Sequence, residues 1–115
     1  MAYLLNIIYT QRDRSHKKLQ PCFGIALEDR LLEQEIRRLK GFNGMGPVRV
    51  GNANFSLVQN DVYGAVILAA THLYFDKRIE REGDHALFLQ LELLGMEAVS
   101  LFDKPDCGPW ARRSK

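Results

Sequence analysis

The sequence predicts a small α+β protein of one domain, in which helices pack on one face of a mostly antiparallel sheet. Three observations carry that expectation. The chain has 115 residues, the length of a single domain, and is 46% hydrophobic and 26% charged, as globular proteins are. Short apolar runs at 2–10, 22–27 and 96–102 have strand-like composition. Between them lie segments long enough for three helices, giving the order β-β-α-β-β-α-α-β. The expected domain spans 1–104, and residues 105–115 form an irregular basic tail.

The opening AYLLNIIYT, rich in Leu, Ile and Tyr and short for a helix, reads as a buried strand. A polar loop to Gln20 and Pro21 follows, and CFGIAL reads as a second strand. EDRLLEQEIRRLKG has the plainest helical pattern. Leu31, Leu32, Ile36 and Leu39 mark one face, acids begin it, bases end it, and Gly41 can turn left-handed after it. Four glycines and Pro47 then punctuate residues 41–51, with VRV and FSLV as short strands around GNAN.

VYGAVILAATHLYF, from Val62 to Phe75, contains no charge. Asn60 and Asp61 can cap it as a helix, with a central strand as the rival reading. Fourteen helical residues span about 21 Å, short of the roughly 20 apolar residues that a membrane crossing needs. A rod so apolar on every side should be covered on every side, by its own fold or by a second copy. DKRIEREGD reads as its solvated end. HALFLQLELLG fits either a strand or a helix and is taken as helix, with Asp84 as cap and Gly95 as stop. MEAVSLF reads as the last strand.

Composition removes several functions. Sixteen Lys and Arg against fourteen Asp and Glu leave a formal charge of +2, which does not select nucleic acid. Two cysteines eighty-five positions apart make no secreted disulfide framework. Apolar residues precede basic ones at the start, the reverse of a signal peptide, so a cytoplasmic protein with reduced thiols is expected. The three histidines, His16, His72 and His85, have no metal-ligand spacing, and no metal or cofactor is expected. Cys22 would need a base brought to it by the fold. DCGPW resembles three residues of the thioredoxin family's WCGPC, but Trp110 stands where the second cysteine belongs, so dithiol chemistry is not expected. NANFSLVQNDVYGAVILAA resembles the macrodomain pattern of Asn-Ala-Asn before an apolar helix. That family's glycine-rich loop is missing, so its ligand is not carried over.

No catalytic constellation emerges. The expectation is therefore a non-enzymatic interaction protein, a homo-oligomer that engages a macromolecular partner, by analogy an accessory protein of a mobile genetic element. Its first contact candidate is the basic loop with Arg12, Arg14, His16, Lys17 and Lys18. The second is the interface stripe of Tyr63, Ile67 and Tyr74 beside His72, which alone in an apolar segment reads as a packing histidine. Two alternatives stand. One is an enzyme or small-molecule binder with a pocket around His72, Tyr63 and Tyr74, reaching Tyr9 and Cys22. The other is an electrostatic nucleic-acid binder acting through residues 12–18, although aromatic residues are not interleaved with those charges.

Overall fold

The computed structural model describes residues 2–12, 18–80 and 83–108, and of residues 11 and 12 the backbone alone. It is a small mixed α/β structure of three helices, α1 (Ala2–Arg12), α2 (Asp61–Phe75) and α3 (His85–Leu101), with two short antiparallel strands, β1 (Gln34–Glu35) and β2 (Arg49–Val50). Packing divides it into two units, one of Met1–Leu19 with Val58–Lys115 and the other of Gln20–Leu57.

The first unit holds the three helices. Its core cluster is Leu5 and Ile8 from α1, Ala70 and Leu73 from α2, and Leu87 and Leu91 from α3. Val66, Ile67, Tyr74, Ile79 and Leu94 pack around it. The six residues of this cluster are all aliphatic. Each large side chain withdrawn there contributes roughly 1.5–3 kcal/mol of transfer free energy.

Three expectations change in this unit. The opening run is a helix, not a strand: Leu4, Leu5, Ile8 and Tyr9 repeat at helical spacing and turn one face inward, and Thr10 Oγ1 donates to Asn6 O at 2.6 Å. MEAVSLF is no strand either. Leu87, Leu91, Leu94, Ala98 and Leu101 step by four and three, so α3 runs straight through Gly95. The end of α2 comes earlier than DKRIEREGD suggests. Asp76 Oδ1 accepts from the Arg78 backbone N–H at 3.0 Å, and both its oxygens accept from the Arg78 guanidinium, turning the chain away after Phe75.

The apolar rod is a helix as expected, and Asp84 caps α3 by accepting from Leu87 N at 2.7 Å, a contact of about 1 kcal/mol. Cover for α2 is one-sided, however. Tyr63, Ala70 and Leu73 are buried, while Leu68 and Phe75 are 70% and 81% exposed. Within this chain α1 and α3 close only one flank.

The second unit contains none of the fully buried hydrophobic residues. Here the expected helix over 28–40 is replaced by extended chain, and 22–27 and FSLV are not strands. Long-range pairing outcompetes the local helical pattern. Ile36 N donates to Val48 O and Asn52 N to Leu31 O, both at 2.8 Å, and Gln34 pairs with Val50 and Glu35 with Arg49. Glu33 and Glu35, two apart and so on one face of an extended chain, accept from Arg49 at 3.0 and 3.2 Å. Just ahead of this segment, Leu27 takes a left-handed φ of 67°. The sheet expected to carry the helices is, among the described residues, this two-stranded ladder.

Candidate functional site

The sequence-predicted residues lie in several places. Of the basic loop, Arg14, His16 and Lys17 lie outside the described residues, as does the side chain of Arg12; Lys18 is exposed. Tyr63 is 3% exposed, and its phenol oxygen accepts from Leu19 N at 3.0 Å. Burial pushes the Tyr63 phenol pKa up, and the Leu19 hydrogen bond pulls the other way. Ile67 and Tyr74 are half-buried against the core, with Tyr74 donating to Asp84 O at 2.9 Å. His72 is exposed, nine residues beyond Tyr63 and therefore half a turn around the helix from it. Tyr63 and His72 thus face opposite ways. Cys22 belongs to the other unit, and burial raises its thiol pKa, away from the reactive thiolate. Among the described residues no group of three or more His, Cys, Asp or Glu side chains is placed to hold a metal ion. Among the described residues no helix is long and apolar enough to cross a membrane.

A different place gathers polar chemistry. Where α2 begins and α3 ends, Asn60, Asp61, Gly64, Ala98, Phe102, Lys104 and Asp106 line a cleft of about 390 Å³. The segment after α3 folds back to form one wall. Cys107 N donates to Val58 O at 2.9 Å, and Gln59 Nε2 donates to Gly108 O at 2.7 Å. Asp106 ties the seam, Oδ2 accepting from Asn60 N and Oδ1 from Gly108 N, each at 2.8 Å. These two backbone donors, Asn60 first, hold the Asp106 carboxyl below its usual pKa.

Asn60 stands at the N-cap position of α2 as the sequence suggests, but its side chain does not cap that helix. Its Nδ2 donates instead to Leu101 O and Lys104 O, both at 3.2 Å, serving carbonyls at the end of α3. Asn60 Oδ1 is buried and without a hydrogen-bond partner. Asp61 is exposed at the first turn of α2, where the helix dipole favours its negative charge. The Phe102 ring is 82% exposed at the rim. Such a cleft offers an apolar ring and a carboxylate acceptor, with Lys104, whose ammonium lies 3.3 Å from Asp103 Oδ1, at its wall.

Asp106 makes an acid-sensitive clamp. Its folded pKa is depressed, so its contribution to stability is present above the unfolded carboxylate pKa, about 3.9, and is lost as pH falls through the folded value. Asp106→Asn keeps one acceptor and sets an amide N–H₂ against a backbone donor. The melting temperature should fall at pH 7, and the acid-side slope of stability should flatten relative to the parent. Thermal melts of the two proteins from about pH 6 to pH 2 test this, and parallel curves would remove Asp106 as the clamp.

The described site is thus a polar cleft at one end of a helical packing. No family model matches the chain, and no solved structure matches it. Curated relatives do. A trehalase of Mycolicibacterium smegmatis is 29% identical over 97 residues, covering 84% of this chain and 14% of that protein. A trehalase of Mycobacterium tuberculosis is 25% identical over 114 residues, covering 99% of this chain and 16% of that one. The chain therefore spans about a seventh of the length of the trehalases it matches.

Proposed function

We propose that this chain is a trehalase-related, non-catalytic binding protein that holds a glucoside such as trehalose in the cleft between the start of α2 and the end of α3. One observation carries the reading: the similarity to two trehalases runs along 84% and 99% of the chain. The cleft supports it chemically. Phe102 offers a ring for the apolar face of a pyranose, Asp61 accepts from hydroxyls, and Lys104 donates to them.

Binding is favoured over cleavage by the state of the carboxylates. Glycoside hydrolysis ordinarily needs two carboxyl groups flanking the bond, one protonated to release the leaving group. Asp106 has both oxygens on backbone N–H groups and a depressed pKa, so it stays ionised and serves the fold. Asp61 remains as the lining carboxylate free to meet a ligand.

Titration calorimetry with trehalose, and with cellobiose as comparator, tests the reading. The expected affinity is on the order of 1 mM, weakened at least about tenfold in Phe102→Ala and Asp61→Asn. No heat at about 20 mM trehalose would sink the sugar site. Sustained glucose release by the chain alone would sink its non-catalytic half.

A further inference from the structure

A second surface of the first unit exposes a stripe of apolar side chains. At 100° per residue, Phe88, Leu89, Leu93, Met96 and Val99 fall within about 140° of one another around α3, opposite its buried face. They are 53%, 43%, 58%, 66% and 70% exposed. Within this stripe stands one carboxylate, the exposed Glu92. Five large apolar side chains in one stripe form the contiguous kind of patch that marks an interface.

We propose that this face of α3 docks an apolar helix bearing a Lys or Arg opposite Glu92, supplied by the remaining part of a trehalase-like polypeptide. The inference rests on the trehalase-related reading above. In the two trehalases the matching segment is 14% and 16% of the chain, so there it sits among some six times as much further polypeptide. Charge argues against a second copy as occupant. Residues 88–99 have their midpoint between 93 and 94, so a twofold pairing centred there brings Glu92 beside its own copy, about 4.5 Å apart along the axis. Two like carboxylates would be desolvated together without a counter-charge. A partner with a basic residue removes that penalty and fixes the register.

The test is co-expression of this chain with the M. smegmatis trehalase from which the matching segment has been deleted. The expected result is a soluble one-to-one complex. Met96→Lys in this chain should weaken it at least tenfold, because the new ammonium meets the partner's cation. That substitution is exposed and places Lys four residues after Glu92, so α3 itself is preserved, which circular dichroism checks. Should the shortened trehalase be insoluble by itself, its rescue by the parent chain and not by Met96→Lys supports the docking, and insolubility with both overturns it. Light scattering of the chain alone supplies the other decisive outcome: a dimer abolished by Met96→Lys makes a second copy the occupant and overturns the proposal. A complex from a chain that gives no heat with trehalose keeps the docking and removes the sugar site; heat without a complex does the reverse.

Discussion

Leu73→Ala should lower the unfolding free energy by about 3 kcal/mol, the usual cost of emptying a large aliphatic site in a closed core. Leu73 is 3% exposed and belongs to the cluster of Leu5, Ile8, Ala70, Leu87 and Leu91, so all three helices meet around it. Total stability of a chain this size is about 5–15 kcal/mol, which makes the loss a large share of it. The same helix contains its own control. Leu68 is 70% exposed on the other flank of α2, and Leu68→Ala removes the same atoms with the same change in helix propensity. That variant should stay within about 0.5 kcal/mol of the parent. Urea unfolding of both, followed by circular dichroism, makes the comparison. Equal midpoints would mean that α2 is not buried along the Tyr63, Ala70, Leu73 side.

The readability of these features from sequence follows their range along the chain. The α2 rod and the Asp84 cap were legible because both are local: an uncharged run behind Asn60 and Asp61, and a carboxylate three residues before the Leu87 N–H it accepts from. The first helix was legible in principle, since Leu4, Leu5, Ile8 and Tyr9 keep helical spacing, but its short length and Leu and Ile content favour a strand when composition is weighed first. In α3 the misleading residue is Gly95. Read as a stop, it hides the continuous step from Leu87 to Leu101. Residues 28–40 are a different case. Their helical pattern is real, and what defeats it is backbone pairing with residues far along the chain, Ile36 N donating to Val48 O and Asn52 N to Leu31 O, which no local pattern announces. The cleft is the least legible feature. Asn60 reads locally as a cap, and only the return of residues 101–106, more than 40 positions away, turns its amide toward α3 and sets Asp106 beside it.

Gly51→Ala should disrupt the second unit, at a cost of more than about 3 kcal/mol, because two penalties coincide there. Gly51 has a φ of +86°, a conformation that costs an L residue about 1–2 kcal/mol. Its α-carbon also lies against the opposite chain. An added β-carbon would collide with Leu32 O and sit 2.8 Å from the Leu32 carbonyl carbon and 3.0 Å from Leu31 O. Those atoms are backbone and cannot swing aside as a side chain would. They are also next to the ladder, since Asn52 N donates to Leu31 O and Val50 pairs with Gln34. Pushing residues 31–32 away therefore breaks the pairing that overrides the helical pattern of 28–40. Gly44→Ala separates the two penalties. Gly44 also has a positive φ, +76°, but an added β-carbon there meets nothing within 4 Å, so that variant should lose only about 1–2 kcal/mol. Amide hydrogen exchange at Ile36 and Asn52 reads the ladder directly, with protection expected to vanish in Gly51→Ala and to persist in Gly44→Ala. Equal loss in both variants would show that backbone conformation alone sets the cost, and the close approach of residue 51 to residues 31–32 would have to be given up.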